Sequence, residues 1–312
     1  MKMIKRIALA VGAVLLVGVL LVLIFRWGVD ETIIELPAEA DAAPAATEFT
    51  IASYNVQSRP WLDDIEYNLT RISPKLNAFD VALIQECFDR HDLLWGEADF
   101  PNKDYFGRLN VPWKPVGPGL SILTREPVAG TEHLHYRAVG EFQNQLAAKG
   151  IQLVRLRIGG MPVDVYNTHM EAGDLPEAHV ARHAQSREVA AFIAAQSPPE
   201  HAVILGGDYN MGPIQDRPFD PNNRGHYTDA TDRDGRASAF AIMPDTLGLR
   251  DAQIELDDGA IVEDIERFLF RDGTHVALAP LSLSRDDTFV DEGGQRLSDG
   301  APLVARFRIA PK

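Results

Sequence analysis

Residues 202–210 read Ala-Val-Ile-Leu-Gly-Gly-Asp-Tyr-Asn, an apolar run that ends in two glycines, an acid and an amide. A short run of β-branched and aliphatic residues is typical of a buried strand. Asp208 and Asn210 follow that strand directly, and functional groups concentrate where strands of a rigid sheet give way to loops. The stretch therefore indicates a sheet that carries a polar site at its strand ends.

Eight further segments have the same short, apolar character and predict additional strands. They are residues 49–56, 80–85, 120–124, 151–158, 162–168, 267–271, 276–279 and 303–309. The clearest helix begins after Gly173, with Asp174 as the expected N-cap, and ends before Pro198. Mixed strands covered by helices predict an α/β sandwich in a single domain.

Several of these strands end in a polar residue that a sheet core would not favour. If the strand ends converge, they bring together two asparagines, two acids and a histidine. These residues are Asn55, Glu86, His169, Asp208 and Asn210. Carboxylate and amide oxygens suit a hard cation such as Mg²⁺ or Mn²⁺, so the pattern predicts a divalent-metal site.

The same residues carry a resemblance to the endonuclease/exonuclease/phosphatase superfamily, which has the deoxyribonuclease-I-like fold. Five short motifs occur in the family's order, and together they cover nearly all of the chain after residue 48. The motifs are Ser53-Tyr-Asn55-Val, Ile84-Gln-Glu86, Asn167-Thr-His169, Gly207-Asp208-Tyr-Asn210 and Leu297-Ser-Asp299. The resemblance implies a four-layer αββα sandwich, with two mixed, mostly antiparallel sheets packed face to face.

On the metal side, the resemblance implies that Glu86 is the principal ligand and that Asn55 lies beside it. Asp299 would supply a further carboxylate on that side.

On the water side, the resemblance implies that Asp208 orients or deprotonates the attacking water and that Asn210 holds a phosphate oxygen. His169 would donate to the phosphate. Hydrolysis of a phosphate ester needs a base, an in-line water and positive or hydrogen-bonding groups on the equatorial oxygens, so these roles agree with the chemistry.

The sequence departs from the family in its last motif, which normally reads Ser-Asp-His and here ends in Gly300. The position of the aspartate that usually pairs with this histidine is occupied by Glu266, which Arg267 follows. Three alternatives remain open. Glu266 or Arg267 fills the space and a guanidinium contacts the phosphate, or another histidine such as His226 or His275 enters, or the protein is a phosphate-binding relic.

The N-terminus has the composition of a membrane segment. Residues 7–25 contain no charge and follow Lys2, Lys5 and Arg6, which favours an uncleaved transmembrane anchor with the body exported, to the periplasmic or extracellular side. A cleaved signal peptide is the alternative. We therefore predict an anchor or signal over residues 1–27, a disordered acidic Ala/Pro linker over residues 28–47 and a catalytic domain over residues 48–312.

The charge of the chain limits its partners. The formal net charge is −15, and the first 27 residues carry four basic side chains and no acid, so the remainder carries −19. A body of that charge repels polyanions, which argues against nucleic acid as the substrate. The sequence thus predicts a metal-dependent phosphoesterase acting on a lipid headgroup or small phosphoester, with an exported nuclease and a non-catalytic relic as alternatives.

Overall fold

The computed structural model describes residues 6, 10–20, 45–60, 62–107, 114, 116–213, 227–257 and 265–312. The helices are α1 (Ile65–Lys75), α2 (His91–Gly96), α3 (Pro176–Gln196), α4 (Ala230–Leu247) and α5 (Ala252–Leu256). The strands are β1 (Thr47–Ser58), β2 (Val81–Cys87), β3 (Asn102–Phe106), β4 (Leu120–Thr124), β5 (Val128–His135), β6 (Gly150–Ile158), β7 (Met161–His169), β8 (Ala202–Asp208), β9 (Arg250–Asp251), β10 (Glu266–Arg271), β11 (Val276–Arg285) and β12 (Leu303–Pro311).

These strands form two mixed six-stranded sheets. The first has the order β11-β12-β1-β2-β4-β3, and the second has the order β5-β6-β7-β8-β10-β9. Strands β1 and β2 are parallel, as are β7 and β8, whereas the other named pairs are antiparallel. Because β1, β2, β7 and β8 lie at the sheet centres, their carboxyl ends are available to form one site.

The central strands are buried on both faces, because successive side chains point to opposite sides of a sheet. In β1, Phe49 and Ile51 enter the core between the two sheets, while Ala52, Tyr54 and Val56 enter the core under the helices. Both sets of side chains are therefore apolar, which explains why these strands appear in the sequence as nearly continuous hydrophobic runs.

The helices complete a four-layer αββα sandwich, which confirms the predicted fold. Leu69 and Ile72 of α1 pack on the outer face of the first sheet. Val189 of α3 and Phe240 of α4 pack on the outer face of the second sheet. Each sheet thus has one face against its partner and one face under helices.

A buried polar contact joins the two sheets near their strand ends. Gln85 of β2 donates from its Nε2 atom to Oδ1 of Asn167 in β7 at 2.7 Å. Asn167 in turn donates from Nδ2 to the main-chain oxygens of Ile84 at 2.8 Å and Ser121 at 3.1 Å. Gln85 and Asn167 are both fully buried, and a satisfied buried network of this kind specifies one alignment of the sheets.

The nine predicted strands all coincide with strands of the structure, but some other elements were missed or misplaced. Helix α3 begins at Pro176 with Leu175 as its N-cap, so the expectation of Asp174 in that role is wrong. Helix α4 was not predicted, because Gly235 and Pro244 interrupt its sequence. Strands β3, β5 and β9 were also missed. All three lie at sheet edges. Strands β3 and β5 lack the apolar run of a central strand, and β9 has two residues.

The chain enters the sandwich at the end opposite to the polar strand ends. The amide of Ala45 donates to the main-chain oxygen of Gly159 in the β6–β7 turn at 3.0 Å. Residues 10–20 are helical and exposed. Among the residues that the structure describes, no helix is long and apolar enough to cross a membrane. The predicted 7–25 span is described only over residues 10–20, and most of the predicted linker lies outside the described residues.

The turn that follows β8 depends on Gly207, which provides the first test. Its φ is +135°, and a Cβ atom there would lie 2.1 Å from the main-chain oxygen of Thr168. We expect Gly207→Ala to lower the free energy of unfolding by about 2–3 kcal/mol, since overpacking and a positive φ both penalise a side chain. Urea denaturation measures the change. Gly130→Ala is the matched control, because a Cβ atom there meets nothing within 4 Å; equal effects of the two substitutions would contradict the expectation.

Candidate active site

Four strand ends from the two sheets converge on one cleft. Strands β1 and β2 of the first sheet end near Asn55 and Glu86, and strands β7 and β8 of the second end at His169 and Asp208. The two sheets meet where Nδ2 of Asn55 donates to Oδ2 of Asp208 at 3.2 Å. The structure therefore brings together these four predicted residues.

Asp208 is a buried carboxylate with two nearby hydrogen-bond donors. Besides Asn55, the main-chain amide of Asn210 donates to its Oδ1 at 2.9 Å. Burial raises the pKa of Asp208, while Lys149 and these hydrogen bonds act in the opposite direction. Asn210 has a φ of +52°, a left-handed conformation that asparagine adopts more readily than most residues. This turn directs the amide of Asn210 back to the carboxylate.

A buried lysine lies beside His169. Nζ of Lys149 is 3.1 Å from Nε2 of His169 and donates to the main-chain oxygen of Met170 at 2.5 Å. That oxygen also accepts from Nδ2 of Asn210 at 3.1 Å. Burial, followed by the charge of Lys149, lowers the pKa of His169 well below its ordinary value. His169 and Lys149 thus form a polar pair at the end of β7, and burial lowers the pKa of Lys149 as well.

Glu86 has the character of a metal ligand. Its φ is +55°, an uncommon backbone conformation for a residue with a side chain. Its Oε1 lies 3.7 Å from Nε2 of His169, and its Oε2 is buried without a hydrogen-bond partner among the described residues. Burial raises the pKa of Glu86, while Lys149 and a hydrogen bond from Asn55 lower it. A cation would satisfy the unpartnered oxygen.

The donor set fits a magnesium ion that keeps part of its water shell. Within the described part of the chain, no three His, Cys, Asp or Glu side chains are grouped closely enough to hold a metal. Mg²⁺ commonly binds through one or two carboxylates, with waters and substrate phosphate as its other ligands. Glu86 and Asn55 would suffice as the protein's part of such a site.

Asp299 is held at the rim by a residue that sequence reasoning missed. Nε2 of Gln57 donates to Oδ2 of Asp299 at 2.5 Å, and the amide of Asp299 donates back to Oε1 of Gln57 at 3.1 Å. The hydroxyl of Ser298 donates to the main-chain oxygen of Asn55 at 2.7 Å. These bonds fix the last motif against the end of β1, so Asp299 lies in the cleft as a neighbour of Asn55.

The cleft also contains an ion pair between Glu266 and Arg285. The cleft has a volume of about 570 Å³, and its lining includes Asp208, Glu266, Arg285 and Gly300. Arg285 donates from Nη1 to the carboxylate of Glu266 and to the main-chain oxygen of Ala301 at 2.8 Å. A Cβ atom at Gly300 would meet nothing within 4 Å. Arg285 therefore supplies a cation beside Glu266, which the sequence did not indicate.

Arg267, the other residue predicted for this part of the cleft, lies elsewhere. It is fully buried, and its Nε donates to Oδ2 of Asp251 at 2.5 Å. Adjacent residues of a strand face opposite sides of the sheet, so Glu266 and Arg267 cannot both reach the cleft from β10.

One of the two candidate replacement histidines, His275, lies away from the cleft. His275 precedes β11, where its main-chain oxygen accepts from the amide of Lys312 at 3.0 Å. The paired strand β12 ends there, opposite to the cleft. His226 lies outside the described residues.

Two buried arginines hold the loops that carry the site. Arg236 donates to the main-chain oxygens of Asn210 at 2.8 Å and Gly173 at 3.0 Å. Arg182 donates to the oxygens of Glu171 at 3.2 Å and Gly173 at 2.7 Å. Helices α3 and α4 thereby fix the segments that follow β7 and β8.

Lys149, Gln57 and Arg285 carry little signal in the sequence. Lys149 precedes β6, Gln57 follows the first motif, and Arg285 ends β11. None of them belongs to a recognised motif. The pairing of β6 with β7 brings Lys149 beside His169, and the packing of the two sheets brings Arg285 of β11 beside Glu266 of β10. A motif search therefore could not find them.

The four-layer sandwich with a polar cleft at its strand ends is the deoxyribonuclease-I-like class of fold. The chain belongs to the endonuclease/exonuclease/phosphatase family, whose model matches residues 52–280. The match includes the ends of β1, β2, β7 and β8, and with them Asn55, Glu86, His169 and Asp208.

The chain is also similar to individual proteins of known name. It is 26% identical to a sphingomyelinase of Mycobacterium tuberculosis over 83% of this chain and 52% of that protein, and 30% identical to human sphingomyelin phosphodiesterase 2 over 46% and 36%. The chain thus spans about half the length of the first of these curated relatives. Sphingomyelinase C from Streptomyces griseocarneus shares the fold, with a TM-score of 0.57, 19% identity and coverage of 83% and 99%. A mutant beta toxin from Staphylococcus aureus, described with bound magnesium ions, has a TM-score of 0.57, 16% identity and coverage of 83% and 99%.

Lys149 provides a test of the site. We expect Lys149→Met to weaken the binding of inorganic phosphate about tenfold or more in the presence of Mg²⁺, because a charged hydrogen bond is removed from a buried position. Isothermal titration calorimetry measures the change. Lys103→Met is the matched control, since Lys103 also donates to a main-chain oxygen, at 2.9 Å, but on the first sheet outside the cleft. Equal phosphate affinities of the two variants would contradict a role for Lys149.

Proposed function

We propose that the protein is a divalent-metal-dependent phosphodiesterase that hydrolyses the headgroup ester of a lipid. The observation that carries this proposal is the contact of Asn55 with Asp208 at 3.2 Å. This hydrogen bond joins Asp208 of the second sheet to Asn55 of the first sheet, on the side where the metal would bind. A base and a metal site on the two sides of one cleft are the requirements of metal-assisted phosphoester hydrolysis.

On the water side, Asp208 accepts the proton of a water molecule that attacks phosphorus. The hydrogen bonds from Asn55 and Asn210 favour the ionised form that can act as a base. Nζ of Lys149 lies 3.1 Å from Nε2 of His169, and this pair would donate a hydrogen bond to an equatorial oxygen of the phosphate, where negative charge grows in the transition state. Asn210 also donates to Met170, which keeps these groups together.

On the metal side, Glu86 and Asn55 would hold Mg²⁺ or Mn²⁺, with Asp299 and Gln57 at the rim of the same cleft. The bound cation would polarise a phosphoryl oxygen and offset charge. Glu86 is suited to this role because its buried oxygen lacks a partner among the described residues.

A lipid headgroup is the substrate class that the comparisons and the charge support. The relatives named above are sphingomyelinases, and the body of the chain carries a strong negative charge that opposes the binding of DNA or RNA. A phosphodiester in a zwitterionic headgroup avoids this repulsion, because its net charge is zero.

The activity is tested with the full chain in detergent. Sphingomyelin, phosphatidylcholine and plasmid DNA are each offered with Mg²⁺, with Mn²⁺ and with EDTA. We expect metal-dependent release of phosphocholine, and a loss of roughly 10²–10⁴-fold in kcat for Asp208→Asn, which removes the general base. Asp99→Asn is the matched control, since Asp99 is 91% exposed and lies outside the cleft.

Three results would count against the proposal. Hydrolysis of no phosphodiester under any condition would leave a phosphate-binding protein without turnover. Faster cleavage of DNA than of lipid at low salt would favour a nuclease. Full activity of Asp208→Asn would mean that the base lies elsewhere.

We also propose that residues 7–25 anchor the chain in a membrane and that the body is exported. The support is the uncharged run and the three basic residues before it. The full chain should resist extraction from membranes by carbonate. Leu15→Arg together with Leu20→Arg should release it, because each charge at the centre of a span costs about 2.5–3.5 kcal/mol. Ala38→Arg together with Ala43→Arg, outside the run, is the control; extraction of the unaltered chain would refute the anchor.

A further inference from the structure

The cleft that Asp208 lines contains a guanidinium in a defined position. Arg285 is the last residue of β11, and Glu266 is the first residue of β10. Arg285 donates to the Glu266 carboxylate and, at 2.8 Å, to the main-chain oxygen of Ala301. The two acceptors, the Glu266 carboxylate and the Ala301 oxygen, together hold the guanidinium in one position.

Strand pairing places Glu266, the partner of the Arg285 guanidinium, next to Asp208, the proposed base. Glu266 is the direct neighbour of Asp208 in the antiparallel pair of β10 and β8. The side chains of paired residues lie on the same face of a sheet. Arg285, which is bonded to Glu266, and Asp208 therefore line one cleft, together with Asn55 and Asp299.

The acidic side chains of the cleft explain why a cation is needed to bind a phosphodiester there. Four acids line the cleft, namely Asp208, Glu266, Asp287 and Asp299. A phosphodiester is an anion and would be repelled by them unless cations on the same wall oppose that repulsion. Arg296 also lines the cleft, but its side chain is 55% exposed and pairs with Asp287 at 3.5 Å. Arg285 is 31% exposed, so its charge is screened less by solvent.

We infer that Arg285 binds the phosphodiester on the Glu266 side of the cleft and stabilises negative charge on the leaving oxygen. The inference rests on the proposed function. Water attacks phosphorus, Asp208 takes its proton, and the bond from phosphorus to the leaving oxygen breaks with the electron pair on oxygen. A guanidinium stays protonated to a pH of about 12 or above, so it donates hydrogen bonds and keeps its proton. The leaving alkoxide takes its proton from solvent water.

This chemistry makes the contribution of Arg285 depend on the leaving group. A poor leaving group carries more localised negative charge as it departs and gains more from a fixed cation. An acidic leaving group disperses that charge and gains less. The substrates with the most basic leaving oxygen should therefore lose most when Arg285 is replaced.

The experiment uses the full chain with Mg²⁺ and two probes, methyl 4-nitrophenyl phosphate and methyl phenyl phosphate. We expect Arg285→Gln to lower kcat by about 100-fold on the phenyl ester, as the loss of one transition-state donor does, and by clearly less on the nitrophenyl ester. Arg285→Lys should have an intermediate kcat on the phenyl ester, because lysine keeps the positive charge but lacks the planar set of N–H donors of a guanidinium. Arg306→Gln is the matched control, since Arg306 pairs with Glu48 away from the cleft.

A second measurement separates a catalytic role from a structural one. Free guanidinium ion added to Arg285→Ala should restore part of kcat on the phenyl ester and leave Arg306→Gln unchanged. Equal losses on the two esters, or a change confined to KM, would overturn a role at the leaving oxygen. A lower Tm of Arg285→Ala without rescue would do so as well, because the pair with Glu266 would then be structural.

Failure of the proposed function is distinct from failure of this inference. If the unaltered protein hydrolyses neither probe nor any lipid, both are overturned. If the unaltered protein is active and Arg285→Gln matches Arg306→Gln on both probes, the phosphodiesterase stands and only the role of Arg285 is refuted.

Discussion

The hydrogen bond from Gln85 to Asn167 is the contact on which the rest of the cleft depends. It crosses from one sheet to the other between fully buried side chains, where an unpaired amide would cost about 1–3 kcal/mol, so the sheets have one strongly preferred alignment. Glu86 is the next residue after Gln85, and His169 lies two after Asn167. Their separation of 3.7 Å follows from that alignment. The metal side and the water side therefore face each other because two amides beneath them are paired.

The sequence was sufficient to predict the central strands and the groups at their ends, since both faces of these strands are buried and any polar residue at their end stands out. The edge strands β3, β5 and β9 have no apolar run against which a polar end residue would stand out. Helix α4 contains a glycine and a proline that oppose a helical prediction. The motif residues Asn55, Glu86, His169 and Asp208 were found because they lie where apolar runs end.

The remaining site residues reach the cleft through contacts between distant parts of the chain. Arg267 was one of the residues proposed to fill the space left by the missing histidine, yet alternation along β10 directs it to Asp251. The guanidinium that reaches Glu266 comes from Arg285, 19 residues later. Lys149 likewise reaches His169 only because β6 and β7 are paired, with Gly150 opposite His169. Local sequence patterns contain no information about such partners.

The entry of the chain beside Gly159 determines how the domain can be oriented. Strand β1 runs from that entry to the cleft, and the nine residues from Thr47 to Asn55 span roughly 25 Å. Whatever precedes residue 45 therefore holds the sandwich by its base, and the cleft opens away from the point of attachment. If the proposed anchor holds the chain in a membrane, the domain must turn through a large angle before its cleft can meet that membrane, so the reach of the preceding segment would govern whether it acts on that surface or on a facing one.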